Sequence, residues 1–380
     1  MLDPSSFVNL LKASGFSFFT GVPDSLLKEF CACVTDQFPE RQHIIAANEG
    51  AAIGLATGYH LATGESGLVY MQNSGIGNAI NPLLSLADPD VYSIPMLVMI
   101  GWRGAPGIKD EPQHVKQGKV QMDLMSAIGY PHEILASNTD EVRLQIERLS
   151  RQMKAASTPV LLLVPKGAFG KYSVAGADTA VPDVAETELM TREQAVESIL
   201  AMVNEKTKIV STTGMTSREI FEIRERLNQG HHRDFLTVGS MGHAGMIALG
   251  IAGYQDSPVA CIDGDGAVLM HMGALPLIAQ YAPSSFLHFV LNNGAHDSVG
   301  GQPTIGRQIS FASIASACGY KSTVTVRSIT ELHTAMDDIR KKQGPAFIEF
   351  VIKKGAREDL GRPTTTPIDN KHTFMDKIIK

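Results

Sequence analysis

Ile262-Asp263-Gly264-Asp265-Gly266 ends one apolar run, Val259 to Ile262, and opens a helical pattern, Ala267 to Tyr281. After 25 intervening residues, Asn292-Asn293 ends a second run, Phe286 to Leu291. Strand, helix and strand in that order predict a βαβ unit with its two strands parallel. The second acid stands between two glycines, which let backbone approach a ligand closely. The helix that follows brings free N–H groups to the same place, and the second strand delivers two carboxamides to that edge. Carboxylate, carboxamide and backbone carbonyl are hard oxygen ligands, suited to Mg²⁺ shared with a phosphate. A dinucleotide-binding glycine loop does not fit. Its third glycine is replaced by Leu269 here, and by Ile80 after Gly75-Ile76-Gly77.

The same alternation runs outward from this unit to both ends of the chain. In the first half, strands are expected at Phe16 to Thr20, His43 to Ala46, Gly67 to Gln72, Met96 to Gly101 and Val160 to Val164. Helical patterns lie between them, at Ser25 to Val34, Gly50 to Ala62 (closed by Gly64), Gly77 to Ala87 and Glu141 to Ala155. The second half adds strands at Lys208 to Ser211, Phe235 to Val238 and Ala346 to Ile352. Its further helices are expected at Arg192 to Val203, Ser217 to Leu227, Ala244 to Ala252, Phe311 to Ala317 and Ile329 to Arg340. Lys171 to Leu189 has no clear period and reads as a linker, and Lys353 to Lys380 reads as a tail. The expected fold class is therefore α/β, with two domains of similar size, 1–170 and 190–380. Each is a mostly parallel sheet covered by helices on both faces, with a 171–189 linker and no middle domain between them.

Composition narrows the class further. Lys and Arg number 33 against 39 Asp and Glu, a net charge of −6, with no basic block of the kind nucleic acid binding uses. Hydrophobic residues make up 44% of the 380 and charged residues 19%, which excludes disorder. The longest apolar runs, Ile94 to Ile100 and Pro159 to Pro165, are too short for a bilayer. Met1-Leu2-Asp3-Pro4 carries an acid where an export signal needs positive charge. Cys31, Cys33, Cys261 and Cys318 have neither disulfide-framework nor zinc spacing, and Cys31-Ala32-Cys33 reads as helix core. The expectation is a cytoplasmic protein without nucleic acid or membrane partners.

Ligands of open α/β sheets bind beyond the carboxyl ends of the strands, and polar or glycine-rich clusters recur there. They are Gly21-Val22-Pro23-Asp24-Ser25, Asn48-Glu49-Gly50, Asn73-Ser74-Gly75 and Gly239-Ser240-Met241-Gly242-His243-Ala244. Taken with Gly264-Asp265-Gly266 and the Asn pair, they resemble the thiamine diphosphate-dependent enzymes over nearly the whole chain. That resemblance implies a pyrimidine-binding domain followed by a diphosphate-binding domain. It implies that Asp265, Asn293 and the Ala295 carbonyl bind Mg²⁺. It makes Glu49 the acid that hydrogen-bonds the aminopyrimidine ring and so activates the cofactor, which needs a buried carboxyl with a raised pKa. Met241 would prop the bent cofactor, the Gly239 carbonyl would meet its amino group, and Gly242, His243 and Ala244 its diphosphate. Asn73, Gly264, Gly266 and Ala267 complete the expected cofactor contacts.

The larger 2-oxo acid decarboxylases of this kind carry a middle domain. The compact layout here is similar to the phosphonopyruvate and sulfopyruvate decarboxylases, as are Asp110-Glu111-Pro112-Gln113-His114 and Asn292-Asn293-Gly294-Ala295-His296. The implied activity is decarboxylation of a small 2-oxo acid, with phosphonopyruvate placed first and sulfopyruvate open. A catalytically silent cofactor-binding module is the contrasting reading, and Glu49 argues against it. Candidate acid–base residues are His114, in a polar loop after the fourth strand, His296, Asp24 and Ser25. Arg218 is the first choice for the anionic group of the substrate, with Ser25, His114 and His296 beside it. Arg103, Lys109 and the tail residue Arg357 are weaker candidates. In this family one cofactor lies between domains of different subunits, so a homodimer or a multiple of it, with shared active sites, is expected.

Overall fold

A computed structural model describes residues 1–173 and 188–378. The chain divides into two compact units, Met1–Ala180 and Val181–Lys380. The greater part of the expected linker, residues 174–187, lies outside the described residues.

In the first unit the order is α1 (Pro4–Ala13), β1 (Phe19–Gly21), α2 (Lys28–Gln37), β2 (His43–Ile45), α3 (Glu49–Thr63), β3 (Gly67–Gln72), α4 (Ile76–Pro82), β4 (Met96–Gly101), α5 (Pro112–Ile128), β5 (His132–Ile134), α6 (Thr139–Ala156) and β6 (Val160–Val164). The second unit runs α7 (Arg192–Met202), β7 (Lys208–Ser211), α8 (Met215–Arg226), β8 (Asp234–Leu236), α9 (Ala244–Ala252), β9 (Val259–Gly264), α10 (Asp265–Met270), α11 (Ala274–Tyr281), β10 (Leu287–Asn292), α12 (Phe311–Cys318), β11 (Ser322–Val326), α13 (Ile329–Lys341), β12 (Ala346–Val351) and α14 (Pro367–Ile378).

Among the described residues each unit holds one six-stranded sheet, and every strand pairing in both is parallel. The strand orders are β2-β1-β3-β4-β6-β5 and β11-β12-β10-β9-β7-β8. Read from β8 backwards, the second order repeats the first, so the same architecture occurs twice. Helices cover both faces. Successive residues of β3 enter opposite cores, Leu68 and Tyr70 on one side and Val69 and Met71 on the other. Burial on both faces explains the unbroken apolar runs of β3, β4 and β6. Order reverses between β1 and β3, and correspondingly between β7 and β9, which opens a crevice at the carboxyl edge of each sheet.

Four expectations need correction. Edge strands β5 and β11 went unseen because their residues are short runs of polar or half-exposed side chains. The polar loop expected at His114 is the start of α5, a 17-residue helix. Its buried stripe, His114, Gly118, Gln121 and Met125, has helical spacing but only one large apolar member, so no hydrophobic period marks it. The helix expected from Ala267 to Tyr281 is broken at residues 271–273. The tail is not structureless: Asn370 on α14 accepts from the Leu236 N–H at 3.2 Å and donates to the Asp234 carbonyl at 2.9 Å, docking the helix on β8.

Candidate active site

In the first unit the ends of β1, β3 and β4 carry a connected polar cluster. Asp24 is fully buried and accepts from Gln72 Nε2 at 2.7 Å and from the Leu26 N–H at 3.1 Å. Burial raises its pKa. Position 101 must be glycine, because a Cβ there would strike the Asp24 carboxylate. Arg103, just past β4, makes a two-pronged ion pair with Asp110 (Nε 2.8 Å, Nη2 2.5 Å) and donates from Nη1 to Ser25 Oγ at 2.7 Å. The Asn73 side chain closes both hydrogen bonds on the backbone of Arg103, donating to its carbonyl at 2.9 Å and accepting from its N–H at 3.2 Å. His114 is buried on the first turn of α5, and its Nδ1 has no hydrogen-bond partner. Burial, and then the Arg103 charge, lower its pKa and leave the ring neutral.

Glu49 begins α3, whose N-cap Asn48 accepts from the Ala51 N–H at 2.9 Å. Its carboxyl is buried, with a pKa raised by that burial, and Oε2 accepts from Asn78 Nδ2 at 2.7 Å. Gly75 lies against it: a Cβ there would stand 2.6 Å from the carboxyl carbon. A protonatable acid held on one oxygen is free to exchange a proton at the other.

The second unit gathers its own set. Asp265, at the N-terminus of α10, is buried, and burial raises its carboxyl to about 6. Its Oδ2 accepts from the Thr304 hydroxyl. Gly306 leaves room for this carboxylate, since a Cβ there would come within 2.6 Å of Oδ2. The two asparagines divide their work. Asn292 is spent on structure, donating to the Gly306 carbonyl at 2.7 Å and to Glu349 Oε1 at 2.8 Å. Asn293 donates to Asp297 Oδ2 at 2.6 Å and accepts from the Ala295 N–H at 3.0 Å. Gly266 faces both His296 and Met241: a Cβ on it would meet the His296 ring at 3.0 Å and the Met241 methyl at 3.2 Å. Burial lowers His296 to about 4. The turn before α9 has φ of +53° at Ser240 and +84° at Gly242, and its His243 is exposed beside the His271 ring at 4.5 Å. Arg218 is half-buried on the first turn of α8.

A buried carboxylate whose pKa burial raises, with the Asn293 carboxamide oxygen two residues before the buried Ala295, suits a hard divalent cation, which would restore the charged form. Asn78, Thr304, Asp297 and the Arg103–Asp110 pair were not predicted as parts of these clusters. Asp110 stands in the Asp110–His114 stretch quoted above and Arg103 was a weaker substrate candidate, but their pairing carries no sequence signal; Asp297 is marked by nothing but its place four residues after Asn293. Arg357 is not spare for a ligand: its guanidinium pairs with Glu193 at 2.7 Å, Asp359 at 2.9 Å and Glu222.

The fold and these clusters define a class. Residues 5–127 match the family described as thiamine pyrophosphate enzyme, N-terminal TPP binding domain, and residues 212–350 match its C-terminal TPP binding domain. The chain belongs to the thiamine diphosphate-dependent 2-oxo acid decarboxylases. Among curated relatives it is 34% identical to a phosphonopyruvate decarboxylase of Streptomyces hygroscopicus, over 99% of this chain and 94% of that one. It is 32% identical to the phosphonopyruvate decarboxylase of Streptomyces viridochromogenes, over 98% and 94%. A sulfopyruvate decarboxylase of Methanosarcina acetivorans is 26% identical over 92% and 90%. Among the described residues no helix is long and apolar enough to cross a membrane.

Proposed function

We propose that this enzyme decarboxylates 3-phosphonopyruvate, without oxidation, to phosphonoacetaldehyde and CO₂, using thiamine diphosphate and Mg²⁺, in the cytoplasm and in the service of phosphonate synthesis. The observation that carries the substrate is the end-to-end match at 32–34% to two phosphonopyruvate decarboxylases, against 26% to the sulfopyruvate enzyme. Bound thiamine diphosphate supplies an electron sink for the pair left behind when CO₂ departs. Asp265, Asn293 and the Ala295 carbonyl hold the cation. Gly239 and Gly242 to Ala244, with Gly264, Gly266 and Ala267, bring backbone to the cofactor, and Met241 packs against it. Asn73 takes part through the loop it fixes around Arg103.

Glu49 holds and returns a proton at Oε1 while Asn78 steadies Oε2. Burial raises its pKa above the ordinary carboxylate range, which favours the proton-holding form. Asp24, whose pKa burial also raises, stands with Ser25 at the end of β1 as a candidate for passing a proton to or from substrate. His114 and His296 are neutral at pH 7, so each offers an N–H or a lone pair to substrate without a competing positive charge. Arg218 supplies the guanidinium that a phosphonate wants. Burial of Asp24, Glu49, Asp265 and Asn293 excludes water and strengthens each of these interactions. The active form is a homodimer, or a multiple of it, whose sites are shared between chains.

The test is an assay of purified enzyme with 3-phosphonopyruvate and with sulfopyruvate, each with thiamine diphosphate and with Mg²⁺ or chelator. Turnover of phosphonopyruvate alone, abolished by chelator and by Asp265→Ala, is expected. A higher kcat/KM for sulfopyruvate would overturn the substrate, and full activity in chelator would overturn the metal.

A further inference from the structure

Asp297 gathers three donors on one carboxylate oxygen. Its Oδ2 accepts from Asn293 Nδ2 at 2.6 Å, from Arg192 Nη1 at 3.0 Å and from the Gly355 N–H at 2.9 Å. Arg192 is itself buried on the first turn of α7 and paired with buried Glu219, Nε to Oε2 at 2.9 Å and Nη2 to Oε1 at 3.2 Å. A rigid chain of charge-assisted bonds therefore runs from α8 through α7 to the Asn293 side chain.

This chain decides which way the Asn293 carboxamide faces. A carboxylate only accepts, so the group against Asp297 must be the amide nitrogen. A backbone N–H only donates, so the group against Ala295 must be the amide oxygen. Both neighbours impose the same orientation, and a flip would set oxygen against carboxylate and NH₂ against N–H. One lone pair of Oδ1 is used by Ala295, and the second remains for a ligand.

We infer that Asp297 is a positioning residue for the divalent cation: held by Arg192 and the Gly355 N–H, it locks the Asn293 carboxamide with its oxygen available as a ligand. The inference rests on the proposal that Asn293 binds the cation. Partners of metal-ligating side chains change affinity by about 10–100-fold when removed. Asp297→Asn keeps the shape, but it replaces one acceptor oxygen by NH₂ and cancels the charge that Arg192 answers. Asp297→Ser is a second, shorter variant that leaves the amide free to turn.

The experiment titrates Mn²⁺ into purified enzyme at fixed thiamine diphosphate, reading free Mn²⁺ by electron paramagnetic resonance and bound cofactor by calorimetry. Both variants are expected to raise half-saturating Mn²⁺ by about tenfold or more. Cofactor stoichiometry should return to the wild-type value at saturating metal, which a merely unstable fold would not allow. A wild-type half-saturation point in either variant would overturn the inference, as would lost cofactor stoichiometry that no Mn²⁺ concentration restores. If wild-type enzyme itself binds thiamine diphosphate equally well in chelator, the cation reading fails instead, and that outcome is recognised before any variant is measured.

Discussion

Glu49 illustrates what burial does to a single acid. Its carboxyl binds a proton more tightly in the folded chain than in the unfolded one. The folded state is therefore penalised progressively as pH rises from the ordinary carboxylate range through the raised folded value, and the penalty is constant above it. Glu49→Gln removes the charge, so the cofactor-free variant should melt above wild type at pH 8, with the gain fading toward pH 4. Turnover should nevertheless fall by about 10²-fold or more, because glutamine cannot exchange the proton. Thermal melts at the two pH values and exchange of the cofactor's thiazolium proton into D₂O check both halves, and wild-type exchange in the variant would remove Glu49 from its role. Gly306→Ala makes a different point, since the new Cβ would press within 2.6 Å of Asp265 Oδ2 and 2.8 Å of Asn292 Oδ1. Crowding of that kind costs about 1–3 kcal/mol. The expected result is a lower urea midpoint together with weaker cation-dependent cofactor binding. Asp265 and Glu49 stood out in the sequence because each is an acid at the end of a strand beside glycine. Thr304 and Asn78 did not, lying 39 and 29 residues from the acids they serve, with nothing periodic to mark them.

Elements were legible where burial is two-sided. The expected bounds of β3, β4 and β6 match the observed ones to the residue, since a run covered on both faces is largely apolar; β7 also matches, although two of its four buried residues, Lys208 and Ser211, are polar. Helix α5 has no legible hydrophobic period because His114, Gly118 and Gln121 take three of its four buried positions; Trp102 Nε1 donates to its Gly118 carbonyl at 2.9 Å. The turn from Gly239 to Ala244 depends on β8, a strand of three residues that cannot hold its place by pairing alone. It is anchored by Asp234, wholly buried, which takes Arg224 Nε of α8 at 2.9 Å and Nη2 at 3.0 Å. Breaking a buried pair strands a charge, at a cost of about 3–5 kcal/mol. Asp234→Ala should therefore destabilise the second unit by that amount in urea unfolding. Replacing Arg224 and Asp234 together with Met and Leu should recover much of the loss. If the single variant unfolds at the wild-type midpoint, the pair is not what holds β8.

At the scale of the molecule, the repeated strand order gives each unit the same crevice but different equipment. Glu49 follows β2 in the first unit; the Gly239–Ala244 turn follows β8, the corresponding strand, in the second. Helices α3 and α9 also correspond, and each leaves a small apolar face exposed: Ala51, Gly54, Gly58 and Leu61 on one, Met246 and Gly250 on the other. In the proposed dimer, these faces are where a second chain would be looked for. The proposed acid and the proposed cation ligands belong to different units, so a two-fold dimer in which each cofactor draws Glu49 from one chain and Asp265 from the other would hold two equivalent sites. The proposal has a sharp genetic consequence. Glu49→Gln and Asp265→Ala should each be inactive alone. In a mixed dimer, however, one site receives both lesions and the other receives neither. Mixing the two inactive proteins under conditions of subunit exchange should restore activity, to about a quarter of wild type for random pairing of equal amounts, because half the dimers are mixed and each has one intact site. Exchange is verified separately by native mass spectrometry of chains with distinguishable tags. Mixed dimers without activity would mean that each chain closes on its own cofactor, and the exposed faces of α3 and α9 would then need another occupant.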